Sequence, residues 1–174
     1  LATSLARLVD GLEIEEIGFD RIPELFGLES AGHREAILDF LDLARVKLPA
    51  LLHRWNLIGP MERRSRLLRL EARRLAEHPP SGPVIAAGST GSIPATARLL
   101  GAVGGLENGA VVLPGLDLAL DEAGWAAVGD THPQAAMKAL LAAMHCERKA
   151  VTELGGTGAR SFLSSEIMRP TEAA

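Results

Sequence analysis

A chain of 174 residues, 47% hydrophobic and 23% charged, is long enough to bury one core or two small ones and too apolar for a disordered tail. Its formal net charge of -4 gives no global attraction to nucleic acid or anionic membranes, although a local basic face remains compatible with that total. With no Tyr, two Trp and four Phe, the core falls to Leu, Ala and Val, which favours helices and short buried strands over an aromatic-rich barrel.

In chain order, a first helix is predicted over Ser4–Val9, followed by an acidic, partly extended connector from Ile14 to Phe19. The longest helix is expected to begin after Ser30 and run to about Leu57, with Ile37, Leu38, Leu41, Ala44 and Val46 on its apolar face. Pro49 kinks or divides it, because proline lacks the backbone donor and clashes with the preceding turn. Gly59-Pro60 then starts a further helix, where a missing N–H in the first turn costs little. Met61, Leu68, Ala72 and Leu75 line one side of that helix, and arginines crowd the rest.

Three prolines and a glycine in His78-Pro79-Pro80-Ser81-Gly82-Pro83 stop the helical pattern. Residues 1–78 are therefore read as a helical subdomain and residues 83–170 as an α/β subdomain. In the second, Pro83–Ala87 is a short buried strand, Pro94 opens a helix to about Val103, and Ala110–Leu113 is a second strand. Strand, helix and strand within about 30 residues suggest a βαβ unit with parallel strands. Asp121 or Glu122 opens a short helix around Trp125, and Thr131 is the expected cap of the next, with Pro133, Met137, Leu140, Leu141 and Met144 at helical spacing. A Gly155–Gly158 turn precedes a last helix, about Ala159–Met168, which Arg160 and Arg169 bracket as candidate anchors to something outside the chain. The fold class is thus α/β, a mostly helical first lobe followed by a small parallel βαβ core.

Three features carry candidate chemistry. The loop Gly88-Ser89-Thr90-Gly91-Ser92 lies between a strand and a helix start, where backbone N–H groups and the hydroxyls of Ser89, Thr90 and Ser92 can meet an anion. The plainer reading is a glycine turn with Ser92 as helix cap. No lysine follows as a phosphate-binding P-loop requires, and a serine nucleophile would lack its usual flanking glycines and histidine partner. Asp117 follows the second strand, at the strand end where α/β proteins place functional groups. A carboxylate there binds a metal or positions water, or caps a turn or pairs with an arginine, and the structural role is preferred.

The arginine helix carries Arg63, Arg64, Arg66, Arg69, Arg73 and Arg74, relieved by Glu62, Glu71 and Glu77. Such a stripe can follow phosphates, since guanidinium groups suit those contacts. A solvated or subunit-facing surface with ion pairs one helical turn apart is the commoner arrangement. Five scattered histidines and the single Cys146 offer no metal-ligand spacing and no internal disulfide, which points to an intracellular, cytoplasmic compartment. No apolar run approaches the length of a membrane span. The chain opens at Leu1 without an initiator Met, which processing would explain, and ends shortly after Pro170; excision from a longer polypeptide would explain both ends.

Val84 to Leu100, with its Gly88-Ser89-Thr90-Gly91-Ser92 loop, resembles the alphaproteobacterial type of AddB, the B subunit of the AddAB helicase–nuclease that processes DNA double-strand breaks. Three further segments agree in order: Gly109 to Asp117, His132-Pro133-Gln134, and Glu166-Ile167-Met168-Arg169-Pro170. The resemblance spans about Pro83 to Pro170 and is less specific for the helical first half. It implies an internal piece of the helicase-like region, with the Gly88–Ser92 loop at the position of helicase motif III. It also implies an AddA-type partner, DNA and the remaining domains of the same subunit as neighbours, and ATP and Mg as cofactors of the parent complex. This chain lacks the Walker lysine, a Walker B acidic pair, a nuclease carboxylate–lysine cluster and the four cysteines of an iron–sulfur cluster. DNA positioning through Arg63, Arg66, Arg69, Arg73, Ser89, Thr90 and Ser92 is therefore the expected role, with no catalytic residue and no cofactor of its own. A purely structural interaction module is the alternative, and a small phosphotransfer or hydrolase domain using Asp117 and the Ser89 loop the weaker one.

Overall fold

The computed structural model describes residues 2–21, 39–155 and 159–170, which fall into two compact units, Leu1–Arg69 and Leu70–Ala174. The boundary lies within an arginine-rich helix, earlier in the chain than the proline-rich break at residues 78–83.

In the first unit, helix α1 spans Ala2–Glu15. It outruns the predicted Ser4–Val9 because Leu8, Val9 and Leu12 keep the spacing of one helix face, so the expected extended connector is helical through Glu15. The end is a left-handed cap. Glu16 adopts φ 55, the Glu16 N–H donates to Glu13 O at 3.4 Å, and the Ile17 N–H donates to Leu12 O at 2.9 Å. A short 3-10 turn, Phe19–Arg21, follows, and Leu8, Ile17 and Phe19 pack against buried Leu12 and Leu41.

The chain is helical again at residues 39–42, passes through a π-helical turn, Leu43–Lys47, and enters helix α2, Leu48–Arg54. The wide turn stands directly before Pro49. Leu48 donates its N–H to Leu43 O, five residues back, and this local loosening relieves the clash that a proline ring makes with the carbonyl four residues earlier. The proline stands in the first turn of α2, where the helix changes from the π-helical turn to regular α-helix. Leu41 and Ala44 are buried as the apolar pattern requires, but Val46 is 52% exposed, because the widened turn shifts the phase of the stripe. Ile37 and Leu38 lie outside the described residues. Helix α2 stops at Arg54 rather than Leu57. Asn56 takes φ 53, and the Leu57 N–H folds back onto Leu52 O at 2.8 Å.

Helix α3 spans Pro60–Glu77 and opens on the expected proline. The Glu13 carboxylate accepts the Glu62 N–H at 3.1 Å, satisfying a donor left unpaired by the helix start. Burial pushes the Glu13 carboxyl above its ordinary range, with the Glu62 N–H opposing. The inward stripe is Met61, Ser65, Leu68, Ala72 and Leu75, the four predicted residues plus one buried serine.

The second unit is the α/β part. Strand β1, Val84–Ala87, and strand β2, Gly109–Val112, pair in parallel from Val84↔Gly109 to Ala87↔Val112, joined by helix α4, Pro94–Gly104. Among the described residues the sheet has these two strands, and α4 packs on both. The expected burial of the strands is corrected: Val84, Ala86 and Val111 are only half-buried and Ile85 is 67% exposed. Glycine is required at Gly109, where any side chain would run into the Val103 carbonyl at the end of α4. Three further helices follow: α5 at Glu122–Ala126, α6 at Ala135–Ala143 and α7 at Ala159–Ile167. The core gathers Leu100, Val103, Leu120, Met137, Leu140 and Leu141. A mostly helical region followed by a small parallel sheet with flanking helices is thus the architecture.

Two expected caps are corrected. Ser92 does not cap α4, because Ile93 holds that position in an extended conformation (φ -88, ψ 126) that Pro94 imposes on its predecessor. Thr131 does not cap α6 either. The position before that helix is Gln134, whose own N–H donates to His132 Nδ1 at 3.0 Å. Pro133 is exposed, while Met137, Leu140 and Leu141 are buried as the spacing predicts. Asp121 caps α5 as anticipated, accepting the Gly124 N–H at 2.7 Å.

Candidate functional site

The arginines of α3 divide by what they meet. Arg69 is half-buried and donates Nη1 to Glu16 Oε1 at 2.8 Å, so its charge is spent inside the first unit. Arg74 clasps Glu71 through Nε and Nη2 at 2.8 and 2.7 Å; this contact lowers the Glu71 carboxyl and raises the Arg74 guanidinium from their ordinary values. Arg63, Arg64, Arg66 and Arg73 are exposed, and no ion pair joins them to another described residue. Arg63, Arg66 and Arg73 project from one side of the helix, since steps of three and seven residues return close to the same face. Leu67 and Leu70, 55% and 50% exposed, stand among them.

The glycine loop is built by two residues in left-handed conformations, Gly88 at φ 79 and Gly91 at φ 62. Gly91 is buried, and a side chain there would press on Leu140 of α6 at 2.7 Å. Ser89 is half-buried, and its hydroxyl accepts the Gly91 N–H at 3.3 Å, a turn-closing contact inside the loop. Thr90 and Ser92 are exposed with no hydrogen bond to another described side chain.

Asp117 serves the backbone. Its Oδ1 accepts the Ala119 and Leu120 N–H groups at 2.9 and 3.0 Å, a tight turn directly beyond β2. The Gln134 amide clamps the same loop from two sides: Oε1 accepts the Asp117 N–H at 3.1 Å and Nε2 donates to Gly115 O at 2.9 Å. Arg148 completes the arrangement. With its side chain 9% exposed, it donates to the Asp117 and Leu120 carbonyls, pairs with Glu122 at 3.0 Å and lies 4.9 Å from the centre of the Trp125 ring.

The last helix joins the same region. Arg169 bridges Asp121 at 2.7 Å and Glu166 at 2.9 Å, and His132 Nε2 meets Met168 O at 2.6 Å. Arg169 is therefore bound within the chain, which corrects its expected role as an outside anchor; the Arg160 side chain and Gly156–Gly158 lie outside the described residues. The Gly124 N–H first, and Arg169 second, hold the Asp121 carboxyl below the usual carboxylate range. Gly115–Asp117, His132–Gln134 and Glu166–Arg169, far apart in sequence, thus meet around one loop. Reading residue types along the chain missed Gln134 and Arg148, because neither amide clamping nor carbonyl capping leaves a spacing signature.

Among the described residues no group of His, Cys, Asp and Glu is placed to hold a metal ion, and no helix is long and apolar enough to cross a membrane. No known protein family, curated protein or solved structure matches the chain.

Proposed function

We propose that this chain is a non-catalytic part of the B subunit of an AddAB-type DNA double-strand break repair helicase–nuclease, acting in the cytoplasm to position DNA and support the complex. The observation that carries the reading is the exposed trio Arg63, Arg66 and Arg73 on one face of α3, without an ion-pair partner among the described residues. Guanidinium groups in that state contact phosphates without reading bases. Arg69, the fourth arginine of the expected set, holds Glu16 and leaves the proposed contact. Thr90 and Ser92 are exposed hydroxyls suited to a backbone contact, whereas Ser89 is half-buried and accepts the Gly91 N–H within its own loop. ATP and Mg belong, in this reading, to other parts of the complex, and an AddA-type subunit is its partner.

Anisotropy of labelled single-stranded and forked DNA across a salt series tests this reading. Each phosphate contact on a single strand contributes about 0.7 to the slope of log affinity against log salt, so substituting all three arginines with alanine lowers that slope by about 2. Absence of saturable binding by the folded chain at low salt rejects the DNA-positioning role.

A second reading, a purely structural interaction module, has its own observation. In the first unit Trp55 and Leu57 are 62% and 58% exposed, and in the second Leu163 and Ile167 are 58% and 75% exposed, large apolar side chains that a protein partner would cover. Under that reading the triple arginine substitution weakens assembly with the rest of the complex and leaves DNA binding unchanged.

A further inference from the structure

Beyond the carboxyl end of β2, the Asp117 loop and α7 enclose a cleft of about 510 Å³ whose chemistry is unlike that of α3. Among the described residues its polar lining consists of Asp117, Gln134, Glu153, Ser164 and Ser165, with no lysine, arginine or histidine. Ser165 is 4% exposed, and its Oγ has no hydrogen-bond partner although the residue lines the cleft. A buried hydroxyl without a partner costs stability, so its retention on the wall of a cleft marks a position where something else makes the bond.

The remaining groups define what that something is. Gln134 is held at both ends of its amide by Gly115 and Asp117 and serves as a fixed wall. The Asp117 carboxylate commits only Oδ1 to backbone N–H groups, leaving Oδ2 without a hydrogen bond among the described residues. The nearest arginine, Arg148, reaches Asp117 only at its backbone carbonyl and is paired with Glu122. Glu153 is exposed and has no ion pair among the described residues. Two carboxylates with no ion pair among the described residues, beside two hydroxyls, repel phosphate and favour a cation rich in N–H donors. Leu116, Leu118, Pro133 and Met168 supply apolar walls, and the volume exceeds what a bare ammonium ion needs.

We propose that this cleft binds a guanidinium group carried on an aliphatic stem, as in an arginine side chain. The planar head has five N–H donors to offer the carboxylates and hydroxyls that line the cleft, and it is more weakly hydrated than an ammonium ion. The stem lies along the apolar walls. This site is independent of the DNA-positioning reading, since none of the α3 arginines lines it.

The test is a titration of the isotopically labelled full chain with L-argininamide and with a glycine–arginine–glycine peptide amide, followed by amide chemical shifts, with inorganic phosphate as a third probe. Saturable shifts at residues 115–119 and 164–168 are expected with both guanidinium probes and none with phosphate. Tighter binding of the peptide assigns the group to a polypeptide, and equal binding assigns it to a free small molecule. Asp117→Asn keeps the turn-forming oxygen and Glu153→Gln is an exposed change, so both variants remain folded. Together they weaken binding by at least about tenfold, while Ser165→Ala weakens it by about threefold without lowering stability. No saturable shift at these residues, a response to phosphate at the same positions, or unaltered binding by the chain carrying both Asp117→Asn and Glu153→Gln overturns the proposal.

Discussion

Arginine does opposite work in two regions of this molecule. On α3, Arg63, Arg66 and Arg73 make no ion pair with a described carboxylate, and the helix rests on a mostly aliphatic stripe that does not involve them. In the second unit, Arg148 and Arg169 are enclosed by the carbonyls of Asp117 and Leu120 and the carboxylates of Glu122, Asp121 and Glu166. The first group carries charge that folding has not consumed, and the second has become part of the scaffold. Counting arginines in a sequence merges the two, and their surroundings separate them.

The largest effect that would sharpen this comparison is on stability. Replacing Arg148 with alanine strands two carbonyls and uncovers Trp125, with an expected cost of about 3 kcal/mol in urea unfolding followed by tryptophan fluorescence. Arg66→Ala is expected to change stability by less than about 0.5 kcal/mol. Equal costs for the two substitutions would erase the distinction between scaffold and surface. At Asp117 the expected loss is smaller. Alanine removes the acceptor for two backbone N–H groups and costs about 1–2 kcal/mol, whereas asparagine keeps an acceptor and stays within about 0.5 kcal/mol of the parent. An alanine variant as stable as the asparagine one would remove Asp117 from the turn.

Acid separates the two units by sign. Asp121 has its folded-state pKa depressed, so its stabilising contribution is present above the ordinary carboxylate value of about 3.9 and is lost as pH falls through the lower folded value. Glu13 is raised by burial, so its contribution runs the other way: it is fully present below the ordinary glutamate value of about 4.3 and disappears as pH rises through the higher folded one. Between about pH 6 and about pH 2, Asp121→Asn is expected to flatten the acid-side loss of stability, and Glu13→Gln to flatten the opposing gain. An unchanged unfolding profile in either variant would contradict the corresponding assignment.

The elements were legible in the sequence wherever apolar spacing and proline agreed. Pro60 and Pro94 mark helix starts, the two short apolar runs are the strands, and Met61, Leu68, Ala72 and Leu75 are the inward stripe of α3. What spacing could not show was compensation between neighbours. The π-helical turn before Pro49 depends on how the backbone relieves a clash, and the pairing of Arg69 with Glu16 joins residues 53 positions apart. The clamp by Gln134 was hidden for the same reason, because a side-chain amide can bond to any backbone that the fold brings to it.

Helix ends show the same limit and permit the smallest of these tests. Glu16, Asn56 and His145 take φ values of 55, 53 and 51, where glycine is the usual occupant, so no glycine announced these stops. The His145 N–H donates to Ala142 O and the Cys146 N–H to Leu141 O, the same return of the chain onto its last turn that closes α1 and α2. A left-handed conformation costs a side-chain-bearing residue about 1–2 kcal/mol, and glycine recovers that while giving back about 0.4–1 kcal/mol through the freer unfolded chain. His145→Gly is therefore expected to stabilise the protein by about 0.5 kcal/mol. Asn56→Gly gains less, because asparagine already tolerates this conformation, and Glu16→Gly forfeits the pair with Arg69. Comparison of the three unfolding midpoints checks the order. If Glu16→Gly proved the most stabilising, the Arg69 pair would contribute nothing, and Arg69 would rejoin Arg63, Arg66 and Arg73 among the arginines that folding leaves unspent.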